Sequence, residues 1–189
     1  MGDTATRRMT VAEFFDWEPG DDSRYELVDG VPVMMKGARN RHGDIVVNTI
    51  SELRGKLRGS QCRAFMSDTA VRIPNGNVRR PDAGVVCGPR DDNAMYADSP
   101  RLVVEVLSPS TRELDVSGKL DEYKTVESLN HIVLVEPDRP KAIHWWRAED
   151  RGWRDQAYEG LESVIEFPDL QITIGLGELY QGLEFGQDA

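Results

Sequence analysis

Leu102-Val-Val-Glu-Val-Leu107 is an apolar run broken by a single acid, Glu105. Alternate residues of a strand share a face, so Glu105 stands with Val103 and Leu107, while Val104 and Val106 stand on the other side. Apolar residues on both faces mark a strand covered on both sides within a sheet. An ionised carboxylate there is costly unless something compensates it, and a divalent cation shared with a second carboxylate is the usual compensation. The second carboxylate is Asp82, which follows Pro81 at the opening of the neighbouring candidate strand. Lys119, on a candidate helix after the run, can bring an ammonium over the sheet, where it would orient an attacking water or steady charge building on a phosphate. Asp115 stands four residues before Lys119, so an ordinary helical ion pair worth ~0.3–0.5 kcal/mol is an equally good reading of that lysine.

Outward from this run the element types alternate. Thr10 and Glu13 form a capping box ahead of Phe14, Phe15 and Trp17, which predicts a short opening helix. Apolar strand patterns at 24–28 and 31–35 flank Asp29-Gly30, a hairpin signal. Ile45, Val46, Ile50, Leu53 and Leu57 recur at helical spacing and predict a long amphipathic helix over 41–58. Strands are expected over 63–73, 79–87 and 101–107, with Asn75-Gly76 turning between the first two. Pro109 stops the third, and Leu114, Leu120, Tyr123 and Val126 give a helical rhythm over 113–126. A buried strand at 132–135, an antiparallel pair at 142–147 and 153–158, and a terminal helix at 176–180 complete the chain.

Composition bounds the class. The chain has 189 residues with 39% hydrophobic content and no Gly/Ser-rich linker, which fits one domain with a sizeable core. Its expected division is a tail over 1–8, the domain over 9–182 and an acidic tail over 183–189. Two cysteines, Cys62 and Cys87, have no metal-binding spacing and offer no disulfide framework, so a reduced cytoplasmic compartment is expected. No eighteen apolar residues run together, and no membrane partner is expected. The net charge of −10 is uneven: from Glu149 onward there are ten acids and two bases, a net −8, so the first 148 residues are nearly balanced. Within them Arg54, Lys56, Arg58, Arg63, Arg72, Arg79 and Arg80 form a basic stretch leading to Asp82, which fits either a phosphate-facing surface or a solvated helix face with strand-end arginines.

Arg24-Tyr-Glu-Leu-Val-Asp-Gly30, Pro81-Asp82, Leu102-Val-Val-Glu-Val-Leu-Ser-Pro-Ser110 and the Asp115, Lys119, Tyr123 spacing resemble the Uma-type family of restriction-endonuclease-like proteins, from about Met9 to Tyr180. The resemblance implies the PD-(D/E)XK nuclease superfamily: an α/β fold of the α+β kind, a restriction-endonuclease-like mixed sheet flanked by helices in a single domain. It implies a Mg²⁺-dependent endonuclease hydrolysing phosphodiester bonds of nucleic acid, DNA ahead of RNA, with Mn²⁺ able to substitute. Asp82 and Glu105 would be the metal ligands, the Val106 carbonyl a third oxygen, and Lys119 the catalytic lysine. The superfamily's lysine falls two residues after the second acid, where this chain has Leu107, so the role passes to Lys119 on the following helix. Arg79 and Arg80 are the expected nucleic-acid contacts, and a homodimer is the arrangement that two-fold cutting of a duplex favours. The alternative is a non-catalytic interaction module on a degenerate nuclease scaffold.

Glu26, in the first motif, is an accessory candidate for a further ion or water, although a solvent-facing strand residue is the slightly better reading. His42 is expected to be a helix-start cap or surface residue outside the catalytic set. His131 and His144 are expected to be structural, and Trp145-Trp146 to face opposite sides of a strand with one in the core. Gly175-Leu-Gly177 lacks the rest of a dinucleotide fingerprint, and Ser108 and Ser110 lack a nucleophile elbow.

Overall fold

The computed structural model describes residues 8–108 and 115–186, with side chains from 118 onward in the second segment. Residues 1–7, Pro109, Leu114, the Asp115 side chain and the last three residues therefore lie outside the described part.

Thr10 caps α1 (Val11–Asp16) with the reciprocal hydrogen bonds of a capping box, Glu13 N–H donating to Thr10 Oγ1 at 3.2 Å and Thr10 N–H to Glu13 Oε2 at 2.8 Å. β1 (Tyr25–Val28) and β2 (Val31–Met34) form the expected hairpin. Asp29 at φ 49° and Gly30 at φ 78° supply the two left-handed residues that a type I′ turn requires. There follow α2 (Asn40–Lys56), β3 (Cys62–Met66), β4 (Val71–Arg72), β5 (Val78–Arg79), β6 (Ala83–Cys87), β7 (Pro100–Val106) and α3 (Asp115–Thr125). The chain ends with β8 (His131–Glu136), β9 (Lys141–Arg147), β10 (Trp153–Glu159), β11 (Val164–Phe167), β12 (Ile172–Gly175) and α4 (Leu176–Leu179).

These elements make one α+β domain around a mixed six-stranded sheet, ordered β10-β9-β8-β7-β6-β3, flanked by helices. Among the described strands of this sheet only β7 and β8 run parallel, joined through α3, as a parallel pair needs a crossover. α2, β11–β12 and α4 cover one face: Ile45, Leu53, Ile165, Phe167 and Leu176 pack with Val85, Leu102, Val104 and Val106. α3 covers the other, where Tyr123, Val126 and Leu129 pack with Phe65, Val103, Leu107, Ile132 and Leu134. Glu105 shares that second face, so β7's alternation aims its carboxylate at α3. Phe65 lies across from Gly84, where a Cβ would collide with its ring and with the Leu102 carbonyl.

The structure departs from the sequence reading in three places. The strands predicted over 63–73 and 79–87 each divide in two. A turn at Ser67-Asp68-Thr69, closed by Thr69 N–H to Met66 O at 2.9 Å, ends the first, and Pro81, with no N–H for a ladder, ends the second. Their inner halves leave the main sheet for a four-stranded one, β2-β1-β5-β4, which closes over Phe14, Leu27, Ala70 and Val78. The β11–β12 hairpin was not predicted, although Ile165, Phe167, Ile172 and Ile174 carry its period-two burial. The antiparallel register of β3 and β6 sets Cys62 opposite Cys87 and joins them in a disulfide, so neither cysteine is a free thiol. Leu183 and Phe185 pack on the main core and Arg41 donates to the Glu184 carbonyl at 2.8 Å. No helix among the described residues is long and apolar enough to cross a membrane.

Candidate active site

The break at Pro81 puts Asp82 at the seam between the two sheets, beside the C-terminal end of β7. Its Oδ2 accepts the Val106 N–H at 2.8 Å, which ties the carboxylate to the strand residue next to Glu105. Glu105 is 14% exposed in its side chain, and its Oε1 accepts the Tyr123 hydroxyl at 2.7 Å. Tyr123 and Lys119 are four apart on α3 and therefore share a face. The Lys119 ammonium reaches back over β7 to 4.0 Å from Glu105 Oε1 and donates to Glu26 Oε1 at 3.0 Å. Asp82, Glu105 and Lys119, predicted from three separate segments, thus line one open cleft of about 320 Å³ together with Glu26, His42 and Arg80.

The expectation for Glu26 is overturned: it is 6% exposed, its Oε2 accepting from Arg79 at 3.0 Å and its Oε1 from the Arg80 N–H at 3.0 Å as well as from Lys119. Arg79, expected on a phosphate backbone, is itself 6% exposed. Its Nε donates to Glu122 at 2.5 Å, and Glu122 also accepts from Asn77 at 2.5 Å. A buried guanidinium held by two carboxylates is part of the site's frame and reaches no external polyanion. Arg80 lines the cleft, but its donors go to the carbonyls of Tyr25, Ser67 and Asp68. Three more of the basic stretch are likewise engaged within the fold: Lys56 pairs with Glu52 and Glu178, Arg63 with the carbonyls of Gly88 and Pro89, and Arg72 with Asp98 and the Tyr96 ring, while Arg54 and Arg58 on α2 and just after it are exposed. Exposed Lys36 on the cleft wall lies outside that stretch.

His42 is also corrected. It lies on the first turn of α2 with its Nε2 3.2 Å from Asp82 Oδ2, in the cleft wall. The signal was weak because helix α2 has Ile45, Thr49 and Leu53 buried, and His42 is one turn before Ile45 on the same face. Tyr123 was quoted only for its spacing; its hydroxyl contact with Glu105 follows from the same i, i+4 relation that brings Lys119 in. His131 and His144 are buried against each other, Nδ1 to Nε2 at 2.9 Å, remote from this cleft. Trp145 is partly buried against the core on the α3 side and holds the Lys124 ammonium over its ring, and neither it nor Trp146 is a buried core residue.

The electrostatics are those of two acids short of positive charge. Burial pushes the Glu105 carboxyl up to about 7; Lys119 and the Tyr123 hydrogen bond oppose this, and the nearby Asp82 and Glu26 charges add to it. Burial also works against the Lys119 ammonium, but Glu105 and Glu26 outweigh it and hold the amine above its ordinary value, so Lys119 stays charged. Among the described residues no three His, Cys, Asp or Glu side chains form a metal cage on their own. An all-protein cage is not what Mg²⁺ needs, since it is typically held by one or two carboxylates and completes its shell with waters and phosphate oxygens. Asp82 and Glu105 fit that requirement, and the Val106 carbonyl opens to the same side of β7 as its N–H, toward Asp82.

The sequence profile of the Uma2 family, described as "Putative restriction endonuclease", matches residues 11–176. Two proteins of Synechocystis sp. are similar over nearly their whole lengths. The uncharacterized protein slr1290 is 29% identical, with 94% of each chain covered, and the uncharacterized protein sll1609 is 26% identical, covering 88% of this chain and 97% of that one. A crystal structure described as a putative nuclease belonging to DUF820, from Anabaena variabilis, superposes with a TM-score of 0.74 at 17% identity, covering 91% of this chain and 97% of that one. At that identity the likeness is one of fold.

Proposed function

The chain belongs to the Uma2 family, and on that footing we propose that it is a divalent-metal-dependent endonuclease hydrolysing phosphodiester bonds of nucleic acid, DNA ahead of RNA. The observation that carries this reading is the convergence of Asp82, Glu105 and Lys119 from β6's leading edge, β7 and α3 into one cleft. Asp82 and Glu105, with the Val106 carbonyl, would hold Mg²⁺ or Mn²⁺. Such an ion supplies Lewis-acid stabilisation of charge on the phosphoryl oxygens. Lys119 remains an ammonium, so its part is that of donor and counter-charge: it orients the attacking water or meets charge developing on the phosphate, and it does not act as a base. Tyr123 fixes one Glu105 oxygen, and Glu26 fixes the lysine.

The test is nicking of plasmid DNA by the purified chain with Mg²⁺ or Mn²⁺, repeated with Asp82→Ala and Glu105→Ala. Loss of nicking in both variants, each still folded by circular dichroism, supports the reading; nicking that survives both sinks it.

One observation favours the module reading, in which the scaffold binds but does not cut: the Lys119 ammonium lies closer to Glu26 than to Glu105. Calorimetry with Mn²⁺ discriminates, because a module without a metal site shows no binding that Asp82→Ala removes.

A further inference from the structure

His42 contributes nothing to the reading above, yet its imidazole stands against one of the proposed metal-binding carboxylates. Its Nε2 stands 3.2 Å from Asp82 Oδ2, its ring also hydrogen-bonds the Val106 backbone, and it lines the same cleft as Glu105. The two groups it meets, the Asp82 carboxylate and the Val106 backbone, are two of the three that would supply oxygens to the metal. Neighbouring ligands of a cation bound at ~2.1 Å stand roughly 3 Å apart, so the imidazole and the Asp82 carboxylate already have the separation of two ligands of one ion. The position is fixed by the fold: α2 packs on the sheet through Ile45 and Leu53, and His42 one turn earlier lies at the sheet edge where Asp82 emerges. Its side chain is only 16% exposed and lines both the main cleft and the adjoining cavity of about 210 Å³.

The geometry points to His42 as a direct nitrogen ligand of the metal beside Asp82; the side chains as they stand close no three-residue cage among the described residues, so a bound ion would draw Glu105 in to complete a set of one imidazole, two carboxylates and a backbone carbonyl. This inference rests on the reading of Asp82 and Glu105 as a metal site, and it sharpens which metal that site takes. Mg²⁺ is served by oxygen donors, whereas imidazole suits first-row transition ions. A set with one nitrogen among oxygens selects Mn²⁺, or a later ion such as Co²⁺, over Mg²⁺. The neutral imidazole would bind through Nε2, the atom that now meets Asp82, while the Asp82 carboxylate keeps the Val106 N–H.

Calorimetric titration of the full chain with MnCl₂ and with MgCl₂, together with pulsed electron paramagnetic resonance of the Mn²⁺ form, tests this without reference to turnover. The wild-type chain is expected to bind Mn²⁺ more tightly than Mg²⁺ and to give the ¹⁴N modulation of a coordinated imidazole. His42→Ala and the more conservative His42→Gln are expected to lose that modulation. They should also weaken Mn²⁺ at least roughly 10-fold, the low end of what removing even a ligand's orienting partner costs, with a smaller change for Mg²⁺. Unchanged ¹⁴N modulation and Mn²⁺ affinity in both variants, with binding still removed by Asp82→Ala, overturn the role of His42 alone. A wild-type chain that binds neither ion overturns the metal site itself.

Discussion

The Lys119 ammonium donates to Glu26 Oε1 at 3.0 Å, so a carboxylate from the small sheet holds the one cation that α3 extends over β7. In the superfamily pattern the strand itself would position such a lysine two residues after Glu105. In this chain Leu107 is there and is buried with Tyr123 in the core, so the position has no room for an ammonium. Glu26 supplies the positioning that the strand does not. Glu26→Gln is therefore expected to lower nicking per folded molecule about 10-fold while leaving Mn²⁺ binding in place. It should also cost about 3 kcal/mol of stability, because Arg79 and Lys119 each lose a partner in a largely buried setting. Urea unfolding and single-turnover nicking measure the two effects separately. A stability loss with unchanged turnover would make Glu26 purely part of the frame.

Lys119→Met removes the ammonium while keeping most of the stem that lies over β7. Taking away one preorganised charge donor costs about 10²–10³ in the chemical step, and nicking should fall by that factor. Lys119→Arg should recover little, since a planar guanidinium does not replace a compact ammonium held between two carboxylates. Full activity in either variant would remove Lys119 from the mechanism and shift weight to the interaction-module reading.

Cys62 and Cys87 bridge β3 and β6, the edge pair of the main sheet and the strand that leads out of Asp82. Closing a loop of this length, with a sequence separation of 25 residues, constrains the unfolded chain by about 3 kcal/mol. Protein purified without reductant and then denatured should present no thiol to a thiol-reactive reagent, and Cys62→Ser/Cys87→Ser should unfold at correspondingly lower urea. Two reactive thiols in the unreduced sample would refute the bridge.

The central strand, α2, α3 and the hairpin were legible because their signals are local: alternation, helical period and a turn that only φ > 0 residues fill. Asp82, Glu105 and Lys119 were legible because an acid amid valines and leucines asks for an explanation. What escaped depends on pairing between distant segments. Glu26 reads as an exposed strand residue until β5 comes alongside β1 and places Arg79 against it. Arg79 and Arg80 read as a basic patch until the break at Pro81 turns both inward. The disulfide depends on a strand register that residue spacing does not encode, and His42 becomes a site residue only through the packing of α2.

His144 and Asp169 each contribute a loss of folding stability toward acid pH. Burial first, and then the neighbouring His131, holds the His144 imidazole down to about 3. In Asp169 burial acts upward but is outweighed by hydrogen bonds from His131 and from Asn130 Nδ2, the latter at 2.7 Å, leaving the carboxyl at about 2. Both groups release their protons more readily folded than unfolded. Between about pH 6.5, where an unfolded histidine titrates, and about 3, where folded His144 does, the unfolded chain binds a proton that the folded chain does not. The contribution of His144 to stability therefore falls as pH falls through that window, with a slope approaching about 1.4 kcal/mol per pH unit for one proton; Asp169 adds a smaller loss below its ordinary range, reduced by its solvent exposure. Glu105, raised to about 7, takes up a proton in the folded state over much of the same range and opposes this loss, so the test is a difference: from pH 7 through 6 and 5 to 4 the urea midpoint of the wild-type chain should fall steadily relative to that of His144→Gln, which has no proton to take up. Parallel declines in the two proteins would mean that His144 protonates within the folded domain and that its contact with His131 opens to let it.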